Sequence, residues 1–482
     1  MNIKQAKEEI KHAMSAYFTK DEYGAYSVPI DKQRPVFLVG APGIGKTAIM
    51  EQIAHELGVG LISYSITHHT RETMLGLPYA SKKHYGEETF EVSEYSMSEI
   101  IASIYEYMDK TDIKEGMLLM DEINCVSESL APVLLQFLQY KIFGRHRVPD
   151  GWIIVSAGNP PEYNNSVNEF DIAVLDRLRK FEIEENYKVW KEFAIDQKMH
   201  PAVLAYLDSK PDNFYCVGCD GKRASDRYVI TARSWDDLST MLSLYEQQEL
   251  PINRILIRQY LQHEQISTDF AAYYGLFDKF RKDYKIARVL LENNASIRES
   301  ALARAKAADT EERTTLLNLL LNMVFELTTK VTAEERVMTQ MVTFLRSIKE
   351  KLLDREVKAV DVVNLEIFDL QKKLRISARF GNLSKKESKK MQGVIKILQE
   401  QALQLYATGI YDGEEAYDII KNDYDSRLKG MLINIKKTKA ALDNMLKFVE
   451  DAFGVGNESQ IIVTEMMLNS ECSHFINKHG TK

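Results

Sequence analysis

The chain has 482 residues, 45% hydrophobic and 27% charged, a globular balance whose length allows roughly two to four domains. Its formal net charge of -8 excludes a general electrostatic pull towards nucleic acid or an anionic membrane surface. Four cysteines, Cys125, Cys216, Cys219 and Cys472, in so long a chain do not make a disulfide framework.

The opening stretch MNIKQAKEEIKHAM has helical spacing and lacks the apolar core and small-residue cleavage site of a signal peptide, so a cytoplasmic protein is expected. From residue 36 to about 185 short β-rich runs alternate with helical patterns: VFLV, LISYSI, MLLMD, WIIVSA and KFEIE. That rhythm predicts a parallel sheet covered by helices.

The first run leads into GAPGIGKT, Gly40 to Thr47, and then AIMEQIAHEL, which puts Ile49, Ile53 and Leu57 on one helical face. A strand, a glycine-rich turn and a helix start are the parts of a phosphate cradle. Gly40, Pro42, Gly43, Ile44 and Gly45 supply the wrapping backbone, and Ala48 follows in the first turn. Lys46 would reach the β- and γ-phosphates as a point charge, and Thr47 would bind magnesium through its hydroxyl. The spacing differs from the GxGxxG of a dinucleotide fold. Further on, the adjacent His68 and His69 of ITHHTRETMLGLP point apart on any regular element, so a loop or cap role is expected rather than a metal.

MLLMD ends on Asp121, with Glu122 beside it. Ligands of such sheets bind beyond the carboxyl ends of the strands, which places this pair near the cradle. Asp121 is positioned to hold the magnesium through its water shell. Glu122, aimed elsewhere by the period of two along a strand, is positioned to take a proton from an attacking water. WIIVSA runs into GNPPEYN and puts Asn159 just past another strand end, where an amide can bond both phosphate and water. VLDRLRKFEIE then offers Arg177 and Arg179. For either arginine a surface ion pair is the default reading, and charge neutralisation at a phosphoryl site is the functional one.

Between residues 187 and 277 the strand signals fade and apolar residues recur at helical spacing, which predicts a small helical domain. CVGC, Cys216 to Cys219, is half a zinc site, with Cys472, His474 and His479 as distant partners; the expected state is a polar loop. After residue 278 the pattern is helical, with capping-box candidates at Thr332 to Glu335 and Ser384 to Glu387. Val394, Leu398, Ala402 and Leu405 form one stripe, and Ile435, Leu442 and Val449 another, read as faces of a bundle. GNLSKKESKK, 381 to 390, is the most linker-like stretch. No segment is long and apolar enough to span a bilayer, so no membrane insertion is expected.

The order Walker A, Walker B with glutamate, a hairpin-like KIFGRHR, a strand ending in Asn159 and then LDR resembles an AAA+ ATPase. DEIN, GNPPE and VLDRL resemble the MoxR branch in particular. The resemblance covers about residues 30 to 275. It implies ATP with Mg2+ as the ligand, Asn159 as sensor 1, Arg177 as the arginine finger acting on a neighbouring subunit, and Arg233 of TARSWDDL as sensor 2. LDRL stands where the family commonly has LDRF, which leaves the finger between Arg177 and Arg179. Residues 66 to 78 lie where the family carries its helix 2 insert, facing the pore of a ring. The implied architecture is an α/β P-loop sheet domain over residues 1–188, a helical lid over 189–277 and an all-helical region over 278–482. The implied activity is ATP hydrolysis in a ring-shaped homo-oligomer, usually a hexamer, that remodels or matures a protein client, with a von Willebrand factor A domain protein as partner. A related machine acting on nucleic acid is the rival, disfavoured by the acidic balance. A nucleotide-gated scaffold with little turnover is the other, and Glu122 weighs against it.

Overall fold

The computed structural model describes residues 1–127, 130–163, 167, 170, 172–219, 227–292, 294–352, 358–380, 383–409 and 413–480. They form two compact units, one of Met1–Asn186 with Arg375–Ser384, the other of Tyr187–Leu374 with Lys385–Lys482.

In the first unit the strands are β1 (Val36–Gly40), β2 (Gly60–Ser65), β3 (Pro78–Tyr85), β4 (Glu88–Tyr95), β5 (Gly116–Asp121), β6 (Ile142–Phe143), β7 (His146–Arg147), β8 (Trp152–Gly158) and β9 (Arg179–Ile183). Five of them make one parallel sheet in the order β2-β5-β8-β1-β9. The helices are α1 (Ile3–Tyr17), α2 (Lys46–Leu57), α3 (Arg71–Leu75), α4 (Glu99–Thr111), α5 (Ala131–Tyr140) and α6 (Ile172–Leu175).

The strands are apolar on both faces because both are covered, as a parallel sheet requires. Val36 and Leu38, Met117 and Leu119, and Ile153 and Val155 join Ile10 and Met14 of α1 and Ile49 and Ile53 of α2 in one core. The alternate residues Phe37, Leu118, Met120, Trp152 and Ile154 join Ile100 and Ile104 of α4 and Leu134 and Phe137 of α5 in the other. At the amino ends of three neighbouring strands the Trp152 indole lies against Gly60 and Gly116. A Cβ on either glycine would come within 2.9 Å of the ring or nearer.

KIFGRHR does turn back on itself, with β6 pairing β7 across Gly144, whose φ is 58°. The insert that begins at ITHHTRETMLGLP goes beyond a helix. After α3, β3 and β4 pair antiparallel over eight residues each and turn at Gly86, φ 67°. Most of their side chains are exposed, so the in-out alternation that would announce a strand is missing from the sequence.

After residue 186 the helices are α7 (Tyr187–Asp196), α8 (Pro201–Ser209), α9 (Ala232–Gln247), α10 (Arg254–Tyr260), α11 (Glu264–Tyr284), α12 (Ile286–Leu291), α13 (Ala295–Ala307), α14 (Thr310–Leu352), α15 (Ala359–Phe380), α16 (Lys385–Thr408), α17 (Gly413–Phe453), α18 (Asn457–Leu468) and α19 (Ser470–His479). CVGC is not a loop: it is β10 (Cys216–Cys219), paired antiparallel with β11 (Arg227–Ile230). One core gathers Trp190, Trp235, Phe270, Leu320, Leu442 and Phe448. A second gathers Phe344, Val363 and Ile420 with the stripe Val394, Leu398, Ala402 and Leu405. No helix among the described residues is long and apolar enough to cross a membrane.

α16 begins at Lys385, where Ser384 to Glu387 marks a start. Thr332 to Glu335 does not mark one. It lies inside α14, a helix of 43 residues with neither glycine nor proline to break it, and its polar groups have distant partners. The Thr332 hydroxyl donates to Glu471 Oε2 at 2.6 Å, and Glu335 Oε1 accepts from His479 Nε2 at 2.8 Å.

Glu471 is buried, with Arg336 at 2.6 Å and Lys386 at 3.0 Å. Burial works against its charge, but Arg336, Thr332 and Lys386 outweigh burial and hold its carboxyl at about 2. A carboxylate whose folded value is depressed contributes stability above its unfolded value and loses it as pH falls towards the folded one. Melting followed by circular dichroism should therefore show the wild type losing Tm between pH 4.5 and about 2 more steeply than Glu471→Gln. Parallel acid limbs for the two proteins would refute this role.

Candidate nucleotide site

The site lies where β1, β5 and β8 end. Beyond Gly40 the chain turns through Gly43 and Gly45, whose φ values of 73° and 97° suit glycine and strain other residues. Gly45 stands at the N-cap of α2 and gives it no side-chain cap, so the opening N–H groups of the helix suit an anion. Pro42 and Ile44 lie within the turn, and Ala48 is in the first helical turn.

Lys46 is only 8% exposed. Its ammonium donates to Gly40 O at 2.7 Å, Ala41 O at 2.8 Å and Asn159 Oδ1 at 2.9 Å. Asn159, just past β8, is thereby joined to the cradle across 113 residues of sequence. The Thr47 hydroxyl donates to Asp121 Oδ2 at 2.9 Å, which unites a helix start with a strand end.

Asp121 and Glu122 face apart for a reason other than the strand period. β5 stops at Asp121, and Glu122 takes a left-handed backbone with φ 56° and ψ 35°, a conformation that costs a side-chain-bearing residue some strain. Its N–H donates to Asp121 Oδ1 at 2.9 Å, while its own Oε2 accepts from Ser65 Oγ at 3.4 Å and Thr67 Oγ1 at 3.3 Å. The turn separates the two carboxylates, and two hydroxyls then hold the second. Sequence reasoning missed Ser65 and Thr67. The signal was present, since LISYSIT ends in hydroxyl residues at the carboxyl end of a strand and Ser65 is in register with Asp121.

Burial and then the charges of Glu122 and Asp121 push the Cys125 thiol up, which disfavours its thiolate. His69 shares a hydrogen bond with Thr73 at 3.3 Å; the side chain of His68 lies outside the described residues, as does that of Cys219. Arg179 opens β9 in register with Val36, at the amino end of β1, whereas the cradle follows the carboxyl end. Arg179 donates to Glu9 at 3.2 Å and lies 5.3 Å over the Phe181 ring. Arg177 is exposed between α6 and β9. The sheet therefore keeps the start of β9, with Arg179, at the end away from the cradle. Arg233 is exposed in the first turn of α9 in the second unit.

Among the described residues no group of three His, Cys, Asp or Glu side chains gathers to bind a metal. Thr47 and Asp121 instead present hard oxygens that fit a magnesium ion sharing its coordination with phosphate and water.

Residues 35–178 match the family model of an AAA domain of the dynein-related subfamily. The matched segment is under a third of the chain, and it includes the cradle, Asp121, Glu122, Asn159 and Arg177. No curated protein matches the chain. AAA domains are in general nucleotide-hydrolysing ATPases. The parallel sheet with flanking helices is that domain's fold.

Two substitutions should separate charge from metal. With a fluorescent ATP analogue, Lys46→Ala is expected to weaken binding about tenfold or more, roughly 1.4 kcal/mol, with or without magnesium. Asp121→Asn should lose only the increment that magnesium adds. Full magnesium enhancement in Asp121→Asn would rule out the assigned role.

Proposed function

We propose that the chain is an ATP-hydrolysing machine of the MoxR kind, which assembles as a ring, usually a hexamer in that family, and remodels or matures a protein client with a von Willebrand factor A domain partner. The observation that carries the reading is the separation of tasks at the strand ends. Lys46 meets Asn159, Thr47 meets Asp121, and Glu122 is held apart from both by Ser65 and Thr67.

In this mechanism the backbone of Gly40 to Gly45 and the start of α2 bind the phosphates. Lys46 exchanges its carbonyl oxygens for the β- and γ-phosphate oxygens. Thr47 and Asp121 would hold magnesium, which when bound would neutralise charge on the phosphates. Asn159 turns its amide to the γ-phosphate and the attacking water. Glu122 accepts the proton of that water as its oxygen attacks the γ-phosphorus, and the bond from that phosphorus to the bridging oxygen breaks to release ADP and phosphate.

A finger from the LDR motif acts in trans in this reading, because the motif leads into β9, which starts with Arg179 at the end of the sheet opposite to its own cradle. The ion pair of Arg179 with Glu9 would open if that residue served. Arg233 acts as sensor 2 from a lid over residues 189–277. The apolar stripes of residues 278–482 pack a client- or assembly-determining region.

The test is Glu122→Gln. It should bind ATP as the wild type does and lose turnover about a hundredfold or more, with a nucleotide-dependent assembly that outlasts the wild type's on size exclusion. A pull-down with this variant in ATP should recover a von Willebrand factor A domain protein. Wild-type turnover in Glu122→Gln would sink the mechanism. Capture of DNA whose affinity falls steeply with log[salt] would replace the protein client with nucleic acid.

A further inference from the structure

The side chain of Asn124 has no part in the site as described, yet it is 5% exposed and lies in the short turn Ile123–Cys125 that follows Glu122. Its Nδ2 donates to the backbone carbonyl of Asn159 at 2.8 Å. That carbonyl lies past the last residue of β8, where pairing with β5 has ended at Ser156 and with β1 at Gly158. The carboxamide thus extends the hydrogen bonding of the sheet by one more peptide.

Its other end is enclosed in a way that explains Gly158. Asn124 Oδ1 is buried and has no hydrogen-bond partner among the described residues. A Cβ built on Gly158 would lie 2.3 Å from that oxygen and 2.7 Å from Asn124 Cγ, with Asn124 supplying its three nearest neighbours. The missing methyl is the space the carboxamide occupies. On the far side of Asn159, Pro160 restricts the backbone of the residue before it.

We propose that Asn124 is a positioning residue for nucleotide hydrolysis: it fixes the Asn159 peptide beyond β8 and so keeps the Asn159 side chain aimed at the phosphate site. This rests on the reading of Asn159 as the amide that contacts the γ-phosphate and water. When Lys46 leaves Asn159 Oδ1 for phosphate, the side chain of Asn159 loses a partner but its peptide stays anchored. Without Asn124 the amide would sample a wider arc, and a misplacement of about 1 Å can lower turnover by up to a hundredfold.

A double-mutant cycle on the full chain tests this, with kcat, KM for ATP and melting temperature measured for each protein. Asn124→Ala should lower kcat about tenfold while KM stays within about twofold. Gly158→Ala, which leaves Asn124 in place but pushes its carboxamide aside, should lower kcat to a similar degree, and it carries the test if Asn124→Ala fails to fold. Combining the two should cost no more than either alone, and adding Asn124→Ala to Asn159→Ala should change nothing further. Unchanged kcat in Asn124→Ala or in Gly158→Ala, or losses that multiply with that of Asn159→Ala, would overturn the positioning role alone. An Asn159→Ala protein with wild-type kcat, or a wild type without ATP turnover, would overturn the underlying reading of the site and this inference with it.

Discussion

A buried ammonium must find oxygen or lose its charge, and the layout of the site follows from how Lys46 meets that demand. Its three acceptors come from the end of β1, the first residue of the turn and the residue past β8. Each is in place only if the strands end at the same level. The same ammonium that suits phosphate therefore holds the strand ends together, and a substitution at Lys46 acts on both.

Around that point the polar groups are arranged in pairs whose members come from different elements. Thr47 of α2 meets Asp121 of β5, Glu122 meets hydroxyls at and beyond the end of β2, and Asn124 meets the peptide beyond β8. Hydrogen bonds of this kind contribute about 1 kcal/mol each in net terms. Their larger effect is orientation, because both partners are anchored in a sheet with two covered faces. Glu122 is the side-chain-bearing residue of the site that takes a left-handed turn, and that turn is what gives adjacent acids different partners.

The main sheet and the cradle were legible because their signals are local and strong: β-rich runs with turns between them, and a glycine-rich turn between strand and helix. Asp121 and Asn159 followed from the rule that strand carboxyl ends face the ligand. Asp121 and Glu122 diverge through a positive φ at Glu122 and not through the strand period, and strand periodicity cannot reveal a positive φ. The β3–β4 hairpin was hidden because exposed strands show no alternation. Thr332 to Glu335 imitated a helix start because a capping pattern fixes residue types and spacing but says nothing of distant partners such as Glu471 and His479. Asn124 was hidden because its bond to the Asn159 peptide exists only once strands far apart in sequence lie side by side.

The packing of Trp152 on Gly60 and Gly116 is at the other end of the sheet from the candidate site. It joins the amino ends of β2, β5 and β8, where Gly60 is level with Gly116 and Gly116 with Trp152, and Tyr107 braces the indole edge-on at 5.5 Å. Counting forward from that line, the fifth residue is Ser65 on one strand and Asp121 on the next, and the seventh on β8 is Asn159. At about 3.3 Å per residue the tryptophan acts as the zero mark of a scale that reaches Ser65 and Asp121 at roughly 17 Å and Asn159 at roughly 23 Å, on which the polar groups of the site are graduations. A slip of one place would send every side chain of a strand to the wrong face. Two residues without side chains and one with the largest thus set the alignment of groups that none of them touches.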